Sequence, residues 1–64
     1  MTLESKLRAL VAGMRYAADK CDEYAPDADN DVSRWRELAR AAAYRSDATA
    51  LESVLNEHEA RDAR

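Results

Sequence analysis

The residues with the most reactive side chains are one histidine and one cysteine. His58 has Asp62 four residues later, a spacing that places an imidazole and a carboxylate on one face of a helix, where both could bind a metal ion. The spacing supplies no third ligand, so we interpret His58 as a surface residue. Cys21 is followed by Asp22 and Glu23, whose negative charges disfavour the thiolate that nucleophilic chemistry requires. These positions predict no metal centre and no catalytic residue.

Three aspartates form the second candidate for chemistry. Asp27, Asp29 and Asp31 match the first three ligand positions of an EF-hand calcium loop. The glycine that such a loop needs at its sixth position is replaced by Val32, and the glutamate at its twelfth position is replaced by Leu38. We therefore expect this segment to cap the helix that follows, and we predict no metal ion or other cofactor.

Catalysis by this chain alone is not expected. The sequence contains no Gly-rich phosphate loop and no nucleophile elbow. A chain of 64 residues buries only ~60% of the surface that it exposes when unfolded, and two or three short helices cannot enclose a substrate pocket. The sequence predicts a non-enzymatic protein with no small-molecule substrate.

The composition favours helices and argues against strands and membrane spans. There is one Gly, one Pro and no Phe, while alanine recurs throughout the chain. No apolar run approaches the ~18 residues that a membrane span needs, and the chain does not open with a signal-peptide pattern, so we expect a cytoplasmic protein without a membrane partner. The formal net charge of −3 argues against a general nucleic-acid binder. Eight arginines against two lysines suggest a bacterial or phage source.

The first predicted helix covers residues 3–24 and carries an apolar seam. Thr2 is a suitable N-cap for it. Seam residues alternate at intervals of four and three, the spacing of a helix that packs lengthwise on another helix. Gly13 lies off this seam, either through sequence drift or because a partner backbone approaches there. The seam consists of Leu3, Leu7, Leu10, Met14, Ala17, Cys21 and Tyr24, with Val11 and Ala18 widening it.

The second predicted helical segment follows the helix-ending Pro26 and carries two apolar sets on opposite faces. If the segment bends or breaks near Ser46-Asp47, where both residues are good N-caps, the domain has three helices. If it runs straight, its two faces must contact different neighbours. We prefer the break, and we expect Trp35 in the core. The two sets are Trp35, Leu38, Ala39 and Ala42, then Tyr44, Ala48, Leu51 and Leu55.

Together these patterns predict one all-α domain over residues 1–64. It is a small antiparallel hairpin of two long helices, with a helix at about 3–24, an acidic turn at 25–31, a helical arm at about 32–60 and a frayed tail at 61–64. Because so short a chain has a thin core, our leading hypothesis is a protein-interaction module that forms a homo-oligomer, preferably a dimer, or docks on a larger host protein as an accessory or inhibitor protein. The expected partner-binding residues are Leu3, Leu7, Leu10, Val11, Met14 and Tyr16.

The alternative hypothesis is a DNA-binding regulator. Residues 37–44, Glu-Leu-Ala-Arg-Ala-Ala-Ala-Tyr, followed by residues 47–56, Asp-Ala-Thr-Ala-Leu-Glu-Ser-Val-Leu-Asn, resemble the helix-turn-helix of bacterial repressors of the LacI type. The resemblance covers about a third of the chain and implies that residues 47–56 form a recognition helix. That helix would be acidic, so the phosphate contacts would come from the arginines before it. These are Arg34, Arg36, Arg40 and Arg45.

Overall fold

The computed structural model describes residues 2–62 and consists of two antiparallel helices. Helix α1 spans Leu3–Tyr24, and helix α2 spans Asp31–Asp62. A single 3-10 turn, Ala25–Asp27, begins the connection between them. The described residues contain no strand, so the all-α helical hairpin predicted from the sequence is confirmed. None of their helices combines the length and the apolar character needed to cross a membrane.

Local hydrogen bonds explain where both helices begin and where the first one ends. The Thr2 side-chain oxygen accepts a hydrogen bond from the Ser5 backbone N–H at 3.1 Å, which caps α1. Pro26 lies in the 3-10 turn and removes a backbone donor, so α1 cannot continue through it. The Asn30 side chain accepts a hydrogen bond from the Ser33 N–H at 2.9 Å and caps α2. Of the predicted tail, residues 61 and 62 belong to α2, and residues 63 and 64 lie outside the described part.

The predicted break near Ser46-Asp47 is not found, because α2 is one continuous helix of 32 residues. No Gly or Pro interrupts it there, and the alanines around residue 46 favour continuation of the helix. The residues of α2 that face α1 also follow one unbroken series of intervals of three and four, so packing gives the helix no reason to bend. That series is Ala41, Tyr44, Ala48, Leu51 and Leu55.

The core is a thin layer between the helices, divided into two clusters. Val11 packs with Ala48 and Leu55, and half-buried Leu7, Met14 and Leu51 surround them. Ala18, Cys21 and Ala41 form the second cluster, with Tyr44 beside it. The true seam of α1 therefore runs through Leu7, Val11, Met14, Ala18 and Cys21 and continues into Ala25, which is 2% exposed.

This arrangement corrects half of the predicted α1 seam. Leu3 is 74% exposed, Leu10 49% and Tyr24 57%, so these residues do not face α2. Val11 and Ala18, which were predicted only to widen the seam, are buried in their place. The physical reason is close helix packing, since small residues such as Ala18 allow the two backbones to approach.

Helix α2 is longer than α1 and extends past it at the end of the hairpin that carries the connection. Arg45 pairs with Asp22, which lies only two residues before the end of α1, so most of residues 31–40 extend past that helix, although the Glu37 side chain still reaches Cys21. We call residues 31–40 the overhang; at 1.5 Å per residue it is about 15 Å long. Trp35 lies in the overhang and is 71% exposed, so the expectation that it fills the core is wrong.

Candidate protein-binding surface

One side of the hairpin, which we call the ion-pair face, is lined by charged pairs that connect the helices. The Arg15 guanidinium donates to both carboxylate oxygens of Glu52, at 2.8 and 3.1 Å. Arg8 reaches Glu59 at 3.0 Å, closer to the open end of the hairpin. Arg45 of α2 pairs in the opposite direction, with Asp19 at 2.8 Å and Asp22 at 2.6 Å on α1. These pairs connect the two helices along the length of this face.

The ion pairs shift the pKa values of their members without greatly stabilising the fold. The hydrogen bond and the charge of Arg15 lower the pKa of Glu52, and Glu52 raises the pKa of Arg15 in return. The hydrogen bonds with Asp22 and Asp19 raise the pKa of Arg45. Because these side chains are roughly half-exposed, water screens the attraction and each pair contributes little to stability.

The opposite side of the hairpin is apolar and has no covering element among the described residues. Helix α1 contributes four residues at intervals of seven, a spacing that keeps side chains on nearly the same side of a helix. These residues lie on one side of the core-facing seam of α1, and the residues that form ion pairs lie on its other side. The apolar face consists of Leu3, Leu10, Ala17 and Tyr24 of α1 with Leu51 and Val54 of α2.

Four large side chains of the apolar face are exposed to solvent. Leu3 is 74% exposed and Val54 is 59% exposed, although both lie within regular helices. At the open end of the hairpin the face descends into a groove of about 280 Å³, with Leu7 and Leu55 in its walls and His58 at its edge. An exposed apolar surface of this kind is typical of a site that binds another protein.

The six predicted partner-binding residues do not share one environment. Leu3 and Leu10 lie on the apolar face, whereas Leu7 and Met14 are half-buried against the first core cluster. Val11 is only 4% exposed and packs on α2 as a member of the first core cluster. Tyr16 is 65% exposed but lies on the side of α1 that faces away from α2, with the Lys20 ammonium 5.5 Å from its ring centroid.

Sequence reasoning missed the exposure of three apolar residues. Val54 lies on the apolar face. The sequence feature that could have identified it is its position three residues after Leu51, at the edge of the apolar set that faces α1. Val32 and Trp35 form a separate exposed patch on the overhang, where they are 68% and 71% exposed. The register of the helices could not be read from the sequence, so the predicted lengths did not show at which end α2 would extend past α1.

The arrangement required for a helix-turn-helix is not formed. That motif needs two helices at ~90–120° joined by a short turn, whereas residues 37–56 lie within one continuous helix. Three of the four arginines proposed for phosphate contact are paired with carboxylates: Arg34 with Asp31 at 3.4 Å, Arg40 with Glu37 at 3.2 Å, and Arg45 with Asp19 and Asp22. Arg36 is exposed on the overhang.

The residues with reactive side chains do not converge on a site. His58 pairs with Asp62 at 3.2 Å on the surface, and among residues 2–62 no group of three or more potential metal ligands is found. Burial raises the pKa of the Cys21 thiol, and a hydrogen bond with the Glu37 carboxylate raises it further, so the thiol stays protonated at neutral pH. A second concavity, of about 470 Å³, lies on the ion-pair face, but its charged walls include Arg15 and Glu52, which bind each other.

What remains is a surface suited to association. The ion-pair face is polar and satisfied by contacts within the chain, whereas the apolar face offers leucine, valine and tyrosine side chains to solvent. Such side chains can contribute binding energy when water is removed from them. Comparison with protein-family models, curated proteins and solved structures finds no match for this chain.

Proposed function

We propose that this protein is a non-enzymatic helical module that binds protein through its apolar face, either by self-association or by docking on a larger host protein. The observation that carries the proposal is the exposure of Leu3, Leu10, Tyr24 and Val54 on one side of a two-helix layer. Leaving these side chains in water forfeits the free energy that their burial would release, about 25 cal/mol for each Å². A bound partner would recover it.

The dimensions of the chain support the proposal. Its accessible surface is 4912 Å², whereas a compact domain of 7.2 kDa exposes about 4,100 Å². Its radius of gyration is 15.0 Å, against about 11 Å for a compact domain of the same length. The elongated two-helix layer and its overhang therefore leave about 800 Å² more surface in water than a compact domain would.

The composition of the core supports it as well. Among the described residues, seven hydrophobic residues are buried and four of them are alanines, which bury little area each. No large side chain of that part of the chain is fully buried. A short chain with so small a core has a free energy of unfolding near zero, so additional burial at an interface would stabilise the fold itself.

The proposed setting is the cytoplasm of a bacterium or of a phage-infected cell, where the module would act as an accessory or inhibitor protein. Cys21 supports a reducing compartment, because its thiol is free and buried in the core. The source rests on the preference for arginine over lysine.

The test combines association measurements with a matched pair of variants. Wild-type protein, Leu10→Glu and Tyr16→Glu are compared by sedimentation equilibrium and by affinity capture from a bacterial lysate, with circular dichroism to check folding. Leu10 lies on the apolar face and Tyr16 lies outside it on the same helix. We expect association or capture that Leu10→Glu abolishes and Tyr16→Glu preserves. A folded wild-type monomer that captures no protein would overturn the proposed function.

A further inference from the structure

We draw no further inference here: the strongest candidate, the exposed apolar patch that Val32 and Trp35 form on the overhang, is bordered by Asp31 as well as by Arg36, so its charges select no partner and nothing in the structure shows what covers it.

Discussion

Replacement of Gly13 by alanine should stabilise the isolated hairpin. Gly13 lies near the middle of the 22-residue α1, and a Cβ there would meet no atom within 4 Å, so alanine introduces no clash. Alanine also reduces the conformational entropy of the unfolded chain. From helix propensity, the free energy of unfolding should rise by about 1 kcal/mol, which corresponds to a rise in Tm of about 4–8 °C for a domain of this size.

The measurement belongs in a Leu10→Glu background, where self-association through the apolar face is removed. Urea unfolding and thermal melts followed by circular dichroism give the stability of the monomer with and without Gly13→Ala. Ala12→Gly is the matched control, because Ala12 is the exposed neighbour of Gly13 and its replacement should cost about as much as Gly13→Ala gains. If Gly13→Ala lowers the stability of this monomer while Ala12→Gly behaves as expected, the open surroundings of Gly13 are refuted.

Three further predictions concern the core, the ion-pair face and the overhang. Val11→Ala should lower the free energy of unfolding by about 2 kcal/mol in urea titrations, because Val11 is 4% exposed; an unchanged value would place Val11 outside the core. The lowered pKa of Glu52 adds stability above the usual carboxyl pKa, and this part is lost as the pH falls through the folded value. Urea midpoints between pH 7 and 3 should therefore fall less in Glu52→Gln than in wild type, and equal declines would contradict the ion pair with Arg15. The fluorescence of Trp35, the single tryptophan, should have the emission maximum of a solvated indole and should be quenched readily by acrylamide; a blue-shifted, protected signal would show that Trp35 is covered.

The helix boundaries were predictable from the sequence because single residues determine them. Thr2 caps α1 through its side chain, and Pro26 removes a donor just after that helix ends. Both signals act within one turn of the chain, so no knowledge of distant contacts is needed to read them.

The buried face of α1 was not predictable, because the sequence allows two apolar seams along this helix that share three residues. Leu7, Met14 and Cys21 belong to both, and the series can be completed by Leu3 and Leu10 or by Val11 and Ala18. Hydrophobicity alone favours the leucines. Packing favours the second set, since small residues let α2 approach, and that preference depends on the alanines of α2.

The same missing information explains the wrong prediction of a break in α2 and the absence of Val54 from the predicted partner-binding residues. The seam of α2 runs through Ala41, Ala48 and Leu55, so packing on α1 requires no break at residue 46. The same seam leaves Trp35 pointing away from α1. Leu3 and Leu10 were predicted to bind a partner, and they remain candidates because the core does not use them. Val54 could be assigned to the same surface only after the register of the hairpin was known.

Because α2 is longer than α1, the overhang and the rest of the hairpin depend on different interactions for their stability. Most of α2 is held by α1, so those residues gain or lose structure together with the core. Before Glu37, which reaches Cys21 in the core, the overhang is supported by the Asn30 cap, by the ion pair of Asp31 with Arg34 one turn apart and by the connection packed on one side. A helical segment of about ten residues is marginal in water without tertiary contacts. The first turns of α2 therefore exchange amide hydrogens and open to proteases independently of the core, and a ligand that orders them need not alter the rest of the hairpin.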